Sequence, residues 1–272
     1  MKYFGFLARF VIIPLIAMGL LTWRDKRQGK KLPTSLSNYP EAAVLLGHVV
    51  TAVAYTTPWD NYLVATKVWW YDPKKVVGKT IGWVPIEEYT FFVLQSLLTG
   101  LWTLWWARRL PTDESPYNPS LKTRLGTTGA LGAVWLASDY NLWRRHQAGN
   151  YLNLTLAWAL PPIMLQTALG ADILWRHRKL LALAIIPSTL YLAASDSLAI
   201  GSGTWTINPQ KTLNWHLPNK LPFEEGLFFL MTNTLLVFGM ILVLSPESEN
   251  RIPSTMRTAY FKLKRALLGG GS

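Results

Sequence analysis

Val84-Pro85-Ile86-Glu87-Glu88-Tyr89-Thr90-Phe91-Phe92 opens a long apolar segment, and Leu221-Pro222-Phe223-Glu224-Glu225-Gly226-Leu227-Phe228-Phe229 opens another. Both read Pro-x-Glu-Glu-x-x-Phe-Phe. Adjacent carboxylates at the mouth of a membrane helix are costly to place. Placing them twice in one frame points to chemistry. The repeat extends upstream: Asp60 and Asp196 each close an apolar run, with a Trp nine residues on (Trp69, Trp205) and a Pro four residues further (Pro73, Pro209).

Half of the residues are hydrophobic and 15% are charged, against about 25% charged in a soluble domain. Apolar runs near the ~20 residues that span a bilayer lie at 3–23, 42–58, 85–106, 125–143, 151–175, 180–200 and 222–244. The first is a span rather than a leader, because no small-residue cleavage site follows it and a basic block does: Arg24, Lys26, Arg27, Lys30 and Lys31. The net charge of +12 does not imply nucleic acid, since the basic residues fall between apolar runs rather than on one folded face. Without cysteine there are no disulfides or thiolate metal sites, and His48, His146, His177 and His216 lack metal-ligand spacing. No Gly-x-Gly-x-x-Gly or Asp-x-x-x-Asp pattern is present, so neither a cofactor nor a metal is expected.

The expected fold is an all-α membrane protein with seven transmembrane helices. Helices one to three match helices five to seven, with the fourth as connector. An offset of four helices gives both halves one orientation, so the three-helix repeats are parallel and related by an axis along the membrane normal. Of the 27 Lys and Arg, about 17 fall on one side, which places the N-terminus outside and the C-terminus in the cytoplasm. The domain reading is 1–110 for the first repeat, 111–150 for the connecting helix, 151–248 for the second repeat and 249–268 for a basic cytoplasmic tail. Residues 269–272 read as an appended flexible linker.

Proline suits the first helical turn, so Glu87, Glu88, Glu224 and Glu225 sit near the positive ends of their helix dipoles. A single pair needs no more than that role. Two pairs facing one bundle interior repel, and crowding like charges in an apolar site favours keeping one carboxyl neutral. One carboxyl as acid and another as base is a natural use. Asp60 and Asp196 are the other matched acids, expected to cap, to pair with Lys or Arg, or to orient a Glu. Phe91, Phe92, Phe228 and Phe229 lie about one turn deeper and can stabilise a cation with their faces. Trp59, Trp69, Trp70, Trp83 and Trp205 read equally as interfacial belt residues. Gln95 and Asn233 are expected to hydrogen-bond between helices.

Thr57-Pro58-Trp59-Asp60-Asn61-Tyr62, Trp69 and the first Glu-Glu stretch resemble the first half of a lycopene cyclase domain, of the heterodimeric bacterial, archaeal and fungal bifunctional type. Asp196, Trp205, Pro209, the second Glu-Glu stretch and Thr232-Asn233 resemble the second half. The likeness covers about residues 40–245. Gly226 stands where Tyr89 does, so the halves need not be equivalent. The resemblance implies an integral, prokaryotic-type membrane isomerase that closes the acyclic ends of lycopene or γ-carotene into ionone rings, β rings foremost, without redox change. It implies catalytic roles for Glu87, Glu88, Glu224 and Glu225, with Asp60 and Asp196 beside them. Trp59, Trp69, Phe91, Phe92, Trp205, Phe228, Phe229 and Asn233 are the matching substrate-binding candidates. Membrane lipid and a cytoplasmic phytoene synthase are the implied partners. Within the class the alternative is an ε-ring or C50 cyclase. Outside it, the buried acids and repeat also suit a proton-coupled transporter, or a subunit that organises carotenoid synthesis.

Overall fold

The computed structural model describes residues 1–111, 117–144, 149–252 and 254–267. Arg145, His146 and the linker at 269–272 lie outside the described residues. The long helices are α1 (Tyr3–Arg27), α2 (Glu41–Ala65), α3 (Ile86–Ala107), α4 (Leu121–Trp143), α5 (Asn150–Arg176), α6 (Arg178–Gly201) and α7 (Phe223–Leu244), and the tail forms α8 (Ser254–Leu267). Among the described residues, five stretches are long and apolar enough to cross a membrane: Tyr3–Arg27, Thr34–Ala65, Asn150–Arg176, Arg178–Gly201 and Phe223–Leu244. α3 and α4 are helices of 22 and 23 residues, so each is about 33 Å long. Their lower hydropathy has visible causes: Gln95, Thr99, Thr103 and three Trp in α3, and Lys122, Arg124 and Asp139 in α4.

Asp60 and Asp196 do not end helices. α2 continues through Pro58 to Ala65 and α6 continues to Gly201, so both acids sit within helical turns. Proline in a membrane helix is tolerated where neighbours satisfy the carbonyl it frees, and that happens three times. Pro14 frees the Phe10 carbonyl, which accepts from Tyr191 Oη at 2.9 Å. Pro162 frees that of Trp158, which accepts from Tyr55 Oη at 2.9 Å. Pro187 frees that of Leu183, which accepts from Trp102 Nε1 at 2.9 Å. α1 also makes one π turn at Ala8–Ile12, just ahead of Pro14.

α3 and α7 pack against each other and form the centre. α1, α2 and α6 also contact α3; α2, α5 and α6 contact α7; α4 packs chiefly on α5. Small residues allow the close approaches. A Cβ on Gly100 of α3 would stand 2.2 Å from Leu45, and one on Gly239 of α7 would stand 2.5 Å from the His48 ring, both on α2.

The loops after α2 and α6 meet at one end of the bundle. Strand β1 (Trp69–Tyr71) pairs antiparallel with β4 (Trp205–Ile207), Trp70 facing Thr206. A hairpin of β2 (Thr80–Ile81) and β3 (Val84–Pro85) precedes α3, and one of β5 (His216–Leu217) and β6 (Leu221–Pro222) precedes α7. The N-terminus lies at this end, with the Tyr3 N–H donating to the Lys75 carbonyl and Thr204 Oγ1 to the Met1 carbonyl, both at 2.8 Å. Much of the basic sequence gathers at the other end in ion pairs: Arg109 with Asp25 at 2.7 Å, Arg108 and Lys26 with Glu41, Arg176 with Glu247 at 2.9 Å, Arg251 with Asp172 at 2.7 Å.

Candidate functional site

The two Glu-Glu pairs begin α3 and α7 alike, and within each pair the two carboxyls diverge. Successive residues of a helix point about 100° apart, so one faces the bundle axis and the other its own loop. Glu87 Oε1 accepts the Val77 N–H at 2.6 Å, and Glu224 Oε1 accepts the Leu213 N–H at 2.6 Å. Both are fully buried beneath the preceding hairpin. These bonds fix the loops to the helix starts. The same loops are pinned again where Ile86 N–H donates to the Lys79 carbonyl and Phe223 N–H to the Trp215 carbonyl, at 3.0 and 2.9 Å.

Glu88 and Glu225 turn inward to a small cavity of about 40 Å³. Asp60 and Asp196 line it too, and no Lys, Arg or His does so among the described residues. In place of the expected Lys or Arg, each Asp has a neutral partner or none. Asp196 Oδ1 accepts from Trp205 Nε1 at 3.0 Å. Asp60 is fully buried, and neither of its oxygens has a hydrogen-bond partner. Glu88 Oε2 accepts from Tyr3 Oη at 2.5 Å and from Tyr71 Oη at 2.9 Å. Glu225 Oε1 has no hydrogen-bond partner, and Tyr151 lines the same cavity. Burial, reinforced by Glu88 and Asp60, pushes the Tyr71 phenol well above its ordinary range, so it remains a donor at neutral pH.

Aromatic rings close the cavity. Trp59, Trp69, Phe91, Phe92, Trp205, Phe228 and Phe229 all line it and are buried. Trp59 stacks on Phe228 at 5.5 Å and meets Trp69 edge-on at 5.8 Å. Trp70 and Trp83 are exposed instead, 42% and 68%, which suits an interfacial role. Asn233 is not at the cavity wall. It accepts from Thr99 Oγ1 at 2.9 Å and donates to Thr189 Oγ1 at 3.1 Å, tying α3, α6 and α7 together.

Sequence reasoning missed Tyr3, Tyr71, Tyr151 and Ile207 at this cavity. A signal for two of them was present: Tyr3 and Tyr151 sit at matched places, at the starts of α1 and α5. Tyr71 and Ile207 each lie two residues beyond the matched Trp69 and Trp205. The Tyr89–Gly226 difference, visible in the sequence, concerns the loops. Tyr89 Oη donates to the Ile81 carbonyl at 2.8 Å and accepts from Asn61 Nδ2 at 2.9 Å. Asn61 Oδ1 in turn accepts the Trp83 N–H at 2.8 Å, beside Gly82 at φ +65°, where a Cβ would collide with it. At Gly226 a Cβ would stand 2.7 Å from Leu217.

A buried, ring-walled chamber with four carboxyls and, among the described residues, no cation can pass protons to an apolar guest and shield a cation formed from it. Apolar helices around such a chamber define a membrane protein of the intramembrane acid–base class. The lycopene cyclase family model matches residues 3–106. A lycopene beta-cyclase of Halobacterium salinarum is 38% identical over 244 residues, covering 89% of this chain and 95% of that one. Bifunctional lycopene cyclase/phytoene synthases of Podospora anserina and Neurospora crassa are each 36% identical over 71% of this chain, a match that takes 33% of those longer proteins. The chain belongs to the lycopene cyclase family. No solved structure matches it.

Proposed function

We propose that this chain closes the acyclic ends of lycopene into β rings, with the acid-lined cavity as its active site. The observation that carries this reading is the convergence of Asp60, Glu88, Asp196 and Glu225 in one buried, cation-free chamber, in a chain similar to a lycopene beta-cyclase over nearly its whole length. Cyclisation needs a proton donor, a proton acceptor and the exclusion of water. A carboxylic acid protonates C2 of the terminal C1=C2 bond, leaving a tertiary cation at C1. The C5=C6 π electrons attack C1, closing the C1–C6 bond and moving the cation to C5. A carboxylate then removes the proton from C6, and the C5=C6 bond re-forms. No electrons are gained or lost, and the proton consumed is matched by the one released.

Asp60 is the best candidate for the acid. An ionised carboxylate with neither oxygen paired, fully buried and without a cation, is far costlier than the neutral acid. Glu88 is the best candidate for the base, because two phenol donors suit a carboxylate. Trp59, Phe91, Phe92 and Phe228 offer their faces to the cation. Glu87 and Glu224 serve the site by holding its loops.

The finer architecture belongs to the same reading: seven spans, two parallel three-helix units about an axis through the β1–β4 pair, and α4 as connector. The acid cavity then opens toward the outer face and the basic end faces the cytoplasm of a prokaryotic membrane. The fungal fusions support a phytoene synthase as working partner at that basic end. Expression in lycopene-accumulating cells should yield β-ring carotenoids. Unchanged lycopene, with the protein present in the membrane fraction, would overturn the reading.

A further inference from the structure

We propose that the groove between α2, α3, α5 and α7 holds the conjugated body of the carotenoid while its end reacts in the acid cavity. This rests on the cyclase reading and extends it to a binding site for the unreacted chain. Phe92 and Phe228 line both the cavity and this groove, so only these two side chains stand between the two spaces as a shared wall. The groove runs along α7 from Phe228 to Leu236, about 12 Å of helix, past Ala52, Tyr55 and Trp158. A linear hydrocarbon with one end among the carboxyls must lead the rest of its length out of the chamber, and this groove adjoins it. Tyr55, on the groove wall, is 41% exposed, so the path leads toward the lipid side of the bundle.

A matched hollow on the opposite flank gives the contrast. It lies between α1, α3 and α6, with Pro14, Met18 and Tyr191 where the groove has Pro162, Gln166 and Tyr55. It shares no lining residue with the acid cavity. On that flank Phe91 meets Phe229 edge-on at 6.3 Å, and Asn233 bridges Thr99 and Thr189. The asymmetry gives the chain one groove beside the acids and one counterpart set apart from them. One substrate end is therefore cyclised at a time, and the second end requires the molecule to leave and turn round.

The test fills each space from a matched position, Ala52 in the groove and Ser188 in the hollow. In lycopene-accumulating cells, Ala52→Trp should lower ring formation about tenfold or more, since an overfilled channel cannot seat the chain. Ser188→Trp should stay within about twofold. Protein amount and Tm are measured in the same membranes. If Ala52→Trp does not accumulate, Thr51→Trp, at an exposed groove position, replaces it. Equal losses from the two sides, or full activity of the groove variant, would overturn the inference and leave the groove to lipid acyl chains or to packing. A wild-type chain that forms no rings would instead sink the cyclase reading.

Discussion

The acid stations at the starts of α3 and α7 share their motif and their loop-pinning Glu, and a tyrosine from the start of α1 or α5 lines the cavity, yet they are not wired alike. Strand β1 carries Tyr71 where β4 carries Ile207. On the first side, Trp69 Nε1 donates to Tyr71 Oη at 3.2 Å, and Tyr71 donates on to Glu88. Asp60 is left with no partner. On the second side there is no phenol at the matched place, and Trp205 Nε1 donates to Asp196. One loop residue thus redirects an indole N–H, leaves one aspartic acid bare and doubles the donors on one glutamate. Different hydrogen bonding around near-identical motifs arises here from the strands above them, not from the motifs themselves.

The largest effects should fall where this comparison assigns proton transfer. Asp60→Asn and Glu88→Gln should each lower cyclisation in lycopene-accumulating cells by about 10²–10⁴, the usual worth of a general acid or base. Asp196→Asn should cost about tenfold, because its amide can still accept the Trp205 N–H. A greater loss at Asp196 than at Asp60 would reverse the assignment. Glu87→Gln and Glu224→Gln come next. Each keeps an acceptor for its loop N–H but puts an amide N–H₂ in place of a buried, unpartnered oxygen, so stability should drop by about 1 kcal/mol and ring formation by severalfold. Thermal unfolding in detergent checks the first and pigment analysis the second. Loss of activity as deep as at Glu88, with an unchanged Tm, would put these residues into the chemistry.

Much of this was readable from the sequence because membrane placement leaves strong marks. Unbroken apolar runs gave the long helices, and two copies of Pro-x-Glu-Glu gave the four motif carboxyls. Helix ends beyond proline were not readable: Pro58 looks like a stop, and only Tyr and Trp donors from neighbouring helices show how the Pro14, Pro162 and Pro187 turns are tolerated. Nor was the split within each Glu pair, since adjacency in sequence hides an angular separation on the helix. Tyr3 and Tyr151 escaped notice because an aromatic residue at a membrane boundary is so common. Asn233 was singled out as a polar group in an apolar run, and its bonds to Thr99 and Thr189 make it a helix tie rather than a cavity residue.

The smallest effects separate the phenols, and they sharpen the comparison most. Tyr151→Phe takes a phenol from the wall of the cavity that Glu225 enters with its Oε1 unpartnered, so ring formation should fall about fivefold. Tyr71→Phe should cost about threefold, because Tyr3 still donates to Glu88. The same change also frees the Trp69 N–H. With Tyr71 gone that indole stands as Trp205 does on the other side, where it reaches the aspartate. Asp60 would then acquire the donor that Asp196 already has, and a hydrogen bond to a carboxylate favours its ionised form. The activity of Tyr71→Phe should therefore fall off at lower pH than wild type as pH rises, a shift that the loss of one Glu88 donor alone would not produce. An unmoved pH profile with the threefold loss intact would show that Tyr71 acts on Glu88 only and that the bare Asp60 does not depend on it.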